Sequence, residues 1–110
     1  MPTAVCVLLL LAAALGCKRE VAGGRADGPA IYKDACERCH GPGGKPPESL
    51  RAQLKVQDLT DAAFKARVSR ESIEAQVRNG SSNKIMPAFA DVLDDAQVRA
   101  VAEYVLRLGE

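Results

Sequence analysis

One pentapeptide restricts the fold of this chain more than any other feature: Cys36-Glu37-Arg38-Cys39-His40. Residues three apart on a helical turn share a face, so two thiols at that spacing can reach one edge of a single planar group. The histidine that follows then comes under the group and can give an imidazole nitrogen to a metal at its centre. C-x-x-C-H is the attachment pattern of c-type haem, whose vinyl groups take the thiols as thioethers. A chain carrying it is expected to wrap short elements around one haem c bound at Cys36 and Cys39, with iron ligated by His40.

Two other uses of the paired cysteines compete with this one. A thioredoxin-type redox pair sits in a βαβ setting, whereas the residues ahead of Cys36 read as a capped helix with no strand before it. A structural zinc site needs a fourth ligand, and beyond Cys36, Cys39 and His40 the folded part offers no further Cys or His. A plain disulfide would leave His40 without a role.

The opposite axial position is approached by elimination. His40 is the single histidine, and of the two methionines Met1 lies in the leader, so Met86 in Asn83-Lys84-Ile85-Met86-Pro87-Ala88-Phe89 is the one thioether candidate. The residue before a proline is pushed out of the α region, so Met86 is expected on an extended segment with its side chain projecting into a pocket. The competing readings are a methionine that fills a gap in the core, and a position taken by Lys84 or left open.

Composition makes a large cofactor welcome. The chain has 110 residues, two Phe, two Tyr and no Trp, so large core-filling side chains are scarce. Domains of this size often complete their core with a metal, disulfides or a cofactor. Fifteen Lys plus Arg against fourteen Asp plus Glu leave +1, spread along the chain. That argues against nucleic acid as a partner.

Residues 1–16 carry an uncharged apolar run ending at Gly16, followed at once by Cys17-Lys18-Arg19-Glu20. The run is shorter than the roughly 20 apolar residues of a membrane span, and reads as a signal peptide. Ala14-Leu15-Gly16-Cys17 resembles a bacterial lipobox, in which the cysteine is lipidated; cleavage by an ordinary signal peptidase would instead leave Cys17 free. The expected location is therefore outside the cytoplasm, periplasmic, with a membrane tether through a lipid on Cys17. Residues 17–27 are polar and Gly-rich and read as a flexible tether, whose ten or so residues would reach about 16 to 19 Å.

From Gly28 to Glu110 the pattern is helical, without an alternating strand. Asp27 or Gly28 can cap a first helix with Pro29 at its start and Ile31, Tyr32 and Ala35 on one face, running into Cys36. Gly41 to Pro47 is a loop of glycines and prolines. Thr60 or Asp61 can cap a helix bearing Phe64 and Val68, and Ser69 the next, with Ile73 and Val77, ended by Asn79-Gly80. The last helix carries the strongest signals: Asp94 with Gln97 as a capping box, Leu93 with Val98 as a hydrophobic staple, and the stripe Val98, Val101, Ala102, Val105, Leu108 before Gly109.

Taken together, Asp27 to Gly41 in front and Asn79 to Leu108 behind resemble the class I, monohaem cytochromes c across nearly all of Gly28 to Glu110. The resemblance implies an all-α fold of about four to five short helices around one covalently bound haem. It also implies that Gly28 and Tyr32 meet Tyr104 and Val105 where the first and last helices cross. A proline carbonyl, from Pro46 or Pro47, would accept the second N–H of His40. The implied function is transfer of single electrons between a donor and an acceptor redox protein, by a monomer and not by an enzyme, with His40 and Met86 as iron ligands; a haem enzyme or gas sensor with a labile Met86 is the alternative. Arg51, Lys55 and Arg78 are candidate propionate partners by charge, and Arg38, Lys45 and Lys84 candidate cations around the haem edge.

Overall fold

The computed structural model describes residues 20–110, and the secondary structure within that range is helical throughout, with no strand among the described residues. Residues 1–19, which include the expected signal peptide and Cys17, lie outside the described residues. Six α-helices follow in order: α1 Gly28–Ile31, α2 Glu37–His40, α3 Glu48–Leu54, α4 Ala62–Arg67, α5 Arg70–Asn79 and α6 Asp95–Arg107. A π-helical turn over Tyr32–Cys36 joins α1 to α2 in one continuous run that carries the motif, and with α3 to α6 this makes five helical bodies among the described residues.

The caps behave as the sequence chemistry requires. Asp27 accepts the Ala30 amide at α1, with Pro29 in the first turn, and Asp61 rather than Thr60 caps α4 through the Phe64 amide. Ser69 heads α5 with a reciprocal Ser72 bond, and Asp94 and Gln97 form the capping box of α6. Each such cap satisfies orphan amides of the first turn and is worth about 1 kcal/mol. The expected single helix from Gly28 into Cys36 is corrected in one respect: it widens at Tyr32, whose carbonyl takes the Glu37 amide five residues on. Helix α3 was not foreseen; Pro47 before it and Glu48 in its first turn are ordinary start signals. The Gly41–Pro47 loop contains a short 3-10 turn, Pro42–Gly44, made possible by Gly43 at φ 67°.

The core lies where α1 and the π-turn cross α6. Ile31, Val98 and Val101 are its fully buried large side chains, joined by Tyr32, Ala102, Val105 and, from α5, Ile73 and Val77. Contact at the crossing is close because Gly28 has no side chain: a Cβ there would lie 2.7 Å from the Ala100 carbonyl oxygen and 2.8 Å from Tyr104 Cβ. Tyr32 and Tyr104 meet edge to face, ring centroids 5.4 Å apart at 61°.

The expectation of a flexible tether over residues 17–27 does not hold for its described part. From Val21 the segment is fastened to the domain: Gln97 Nε2 donates to the carbonyls of Val21 and Arg25, both at 3.1 Å. The Ala22 amide donates to Asp34 at 2.9 Å, and Ala22 itself is buried. A buried amide group costs free energy unless it is bonded, and Gln97, 4% exposed, finds its partners in this segment. Polar composition alone suggested a tether; the demand of one buried glutamine decides otherwise.

Candidate functional site

Cys36 ends the π-turn and Cys39 and His40 follow on α2, so the three side chains leave one short helical stretch. Both thiols are free and half-buried. Burial, with the neighbouring Cys39 adding to it, pushes the Cys36 thiol up to about 11. A redox-active pair needs a lowered thiol pKa, so Cys36 is set up as a neutral thiol, not as a thiolate nucleophile.

His40 is held through its ring. Its Nδ1 lies 3.0 Å from the backbone carbonyl of Gln57. A carbonyl only accepts, so Nδ1 carries the proton and donates, leaving the Nε2 lone pair as the metal-binding atom. Burial lowers the His40 pKa below its usual value, partly offset by that bond, which keeps the ring neutral. The expected acceptor, Pro46 or Pro47, is therefore corrected to Gln57. The reason is local: the Leu59 amide donates to the Gly44 carbonyl at 2.9 Å and Leu59 is buried, so the strand of chain through Gln57 lies against the Gly41–Gly44 loop. A side-chain reading had no signal for Gln57 itself, since any residue carries a carbonyl; buried Leu59 two residues later was the available hint.

Gly41, next to His40, reverses the chain at φ 79° and ψ 163°. A Cβ there would fall 1.9 Å from the Lys45 carbonyl oxygen, so only glycine serves.

Met86 lies in the irregular stretch between α5 and α6, half-buried against the edge of the core. Its backbone is gripped on both sides by Ser81: the Met86 amide donates to Ser81 Oγ at 3.0 Å, and the Ser81 amide donates to the Met86 carbonyl at 3.0 Å. Ser81 Oγ in turn donates to Asn83 Oδ1 at 2.6 Å. Gly80, at φ 69°, lets this bracket close, since a Cβ would meet the Met86 carbonyl oxygen at 2.5 Å. Beyond it, the Phe89 amide ties the loop to the Val77 carbonyl of α5 at 2.9 Å. Sequence reading picked out Met86 and Pro87 but missed Ser81, although Gly80-Ser81 after a helix is a recognisable turn signal.

Of the cationic candidates, Arg51 pairs with Glu48 at 3.6 Å and Arg78 with Asp95 at 3.4 Å, both at the surface. Lys55 sits in the left-handed region at the end of α3.

These residues fit a covalently held haem. Two free thiols share one helical stretch with an imidazole of fixed tautomer. The elements facing away from the helix crossing also bury little of their own: α2, α3 and α4 contain no buried residue, and none is buried from Asn79 through Val92. Phe64, Val68, Met86 and Phe89 are only partly covered, which suits a domain whose second apolar mass is a large planar cofactor.

Comparison with known proteins agrees. The family model described as cytochrome c oxidase, cbb3-type, subunit III matches residues 24–105. Cytochrome c6 of Microcystis aeruginosa is 37% identical over 84 residues, covering 76% of this chain and 96% of that protein. Cytochrome c6 of Euglena viridis is 32% identical over 80 residues, covering 71% and 85%. Among solved structures, the KustC0563 c-type cytochrome superposes with a TM-score of 0.68 at 28% identity, over 76% of this chain and 99% of the other. With the motif, the all-α architecture and these relatives in agreement, the chain belongs to the class I, monohaem cytochromes c, which hold one haem c covalently.

Proposed function

We propose that this protein carries single electrons with a haem c that would be joined to Cys36 and Cys39 and whose iron would be held by His40 Nε2 and the Met86 sulfur. The observation that carries the reading is the His40–Gln57 bond of 3.0 Å, which aims a neutral, correctly protonated imidazole from the C-x-x-C-H turn. Bound haem supplies an iron that alternates between ferric and ferrous.

The chain's own residues do the rest. Gln57, by accepting from Nδ1, raises the basicity of His40 and holds its orientation. Ser81 holds the Met86 backbone on both sides, so the thioether is presented from a fastened segment. A soft, neutral sulfur favours the ferrous state and raises the potential. With His40 and Met86 both holding the iron, no place would remain for a substrate, which would leave electron exchange with donor and acceptor proteins. Residues 1–16 export the chain, and a lipid on Cys17 tethers it to the membrane. The domain works as a monomer.

Expression in a host that matures c-type cytochromes tests this. The purified protein should be red, retain haem stain after denaturing electrophoresis, and show a positive midpoint potential with the weak long-wavelength band of a sulfur–ferric iron bond. Substitution Met86→Ala should abolish that band and lower the potential. Colourless protein of unmodified mass would refute the attachment, and CO binding to the ferrous wild type would favour the sensor reading over the carrier. The mass of the mature protein reports acylation of Cys17 in the same measurement.

A further inference from the structure

Tyr32 carries more than packing against Tyr104 requires. Edge-to-face contact needs only a ring, which phenylalanine would supply equally. The tyrosine is 3% exposed, and a hydroxyl buried to that degree is costly unless it has a task. Its Oη donates to the Gly41 carbonyl at 2.5 Å, a buried bond spanning nine residues. Burial holds the Tyr32 phenol well above its usual pKa, so the proton stays on the oxygen as donor.

Gly41 is the residue that follows His40, and the peptide groups on both sides of its Cα are bonded. Its amide donates to the Glu37 carbonyl at 2.8 Å, and its carbonyl also accepts from the Gly44 amide at 3.2 Å. The Tyr32 carbonyl, at the other end of the same residue, takes the Glu37 amide and so opens the π-turn into the cysteine motif. Tyr32 thus bonds both to the start of α2, through its backbone, and to the peptide beyond α2, through its side chain. Helical irregularities of this kind are frequent at functional sites.

We infer that Tyr32 is a positioning residue for the iron ligand: its hydroxyl, acting through the Gly41 peptide, holds the backbone of His40 so that the ring keeps its bond to Gln57. The inference rests on the reading of His40 as an iron ligand. Removing the hydroxyl loosens that backbone, weakens the Nδ1 bond, makes the imidazole a poorer donor to ferric iron and raises the potential.

The test uses the haem-loaded protein. Tyr32→Phe keeps the ring, and Val101→Ala serves as a control that lowers stability in the core without touching the hydroxyl. Midpoint potential and the hyperfine-shifted haem-methyl resonances of the ferric protein are read for both, together with Tm. The expected result is a more positive potential and an altered methyl pattern in Tyr32→Phe, and neither change in Val101→Ala despite its lower Tm. A second measurement places 3-fluorotyrosine at position 32 in a Tyr104→Phe background, strengthening the phenol as a donor without changing its packing; the potential should then fall relative to that background. This arm decides the matter if Tyr32→Phe does not mature. Red protein in which Tyr32→Phe leaves potential and methyl pattern at wild-type values, or in which both variants shift the potential the same way, overturns the role of Tyr32. Colourless wild type refutes the haem reading instead.

Discussion

The crossing of α1 with α6 and the ligand-bearing side of the domain are built on opposite principles. At the crossing, Ile31, Val98, Val101 and Ala102 are almost wholly removed from water, and close approach comes from the missing side chain of Gly28. On the ligand side, no residue from Asn79 through Val92 is buried, and α2, α3 and α4 bury none. Order there comes from a few hydrogen bonds to backbone groups: the His40 ring to the Gln57 carbonyl, the Leu59 amide to the Gly44 carbonyl, and the pair of bonds between Ser81 and Met86. Burying an apolar side chain contributes about 1.5 to 3 kcal/mol, whereas one such hydrogen bond contributes about 1 kcal/mol net. The crossing can therefore be read as a core that closes on itself. The ligand side is a set of correctly placed groups that needs the haem to become one.

Glycine substitutions separate the two principles most sharply. Gly41→Ala meets both a left-handed backbone and a carbonyl oxygen at 1.9 Å from the new Cβ, a backbone clash that should cost about 4 kcal/mol or more and abolish haem loading. Gly28→Ala keeps an ordinary helical backbone, but its Cβ would stand 2.7 Å from the Ala100 carbonyl oxygen, so the two helices must part slightly, which should cost about 1 to 3 kcal/mol by overpacking. Tm and the haem content of purified protein check both; a Gly41→Ala protein as stable and as red as Gly28→Ala would break the distinction.

Ser81→Ala is a smaller change with a specific signature. It removes the acceptor of the Met86 amide, costs about 1 kcal/mol of stability, and should weaken the sulfur–iron band and lower the midpoint potential. A lowered Tm with unchanged band and potential would show that Ser81 supports the loop without holding the ligand.

The smallest effect expected is one of pH. Hydrogen bonds from the Thr60 hydroxyl, at 2.6 Å, and amide, at 2.8 Å, hold the Asp58 carboxyl below its ordinary range. A depressed carboxylate stabilises the folded state above its unfolded pKa of about 4, and this contribution is lost as pH falls through the lower folded value. Asp58→Asn should therefore lower Tm slightly at neutral pH, where the wild type holds the ionised carboxylate, and flatten the acid limb so that the two proteins converge as pH falls through the folded value. A loss of equal size at all pH values would contradict this origin.

The same division explains what could be read from the sequence. At the crossing, apolar spacing and caps carry the information in side-chain types, so Asp94, Gln97 and the Val98–Leu108 stripe were legible and α6 formed as expected. The haem motif was legible because its chemistry lies in two thiols and an imidazole. What holds those ligands was not, because a carbonyl is common to every residue: Gln57 takes the bond expected of Pro46 or Pro47. The π-turn at Tyr32 has no residue signature, and Val21 to Arg25 look like a linker until the buried Gln97 amide is considered.

The central claim is that haem completes the ligand side. Amide hydrogen exchange, compared between the mature protein and a Cys36→Ser, Cys39→Ser variant that cannot attach haem, tests it directly. The account predicts that α3, α4 and residues 79–92 lose protection in the variant far more than the middle of α6 does. Equal protection of both regions with and without haem would contradict it.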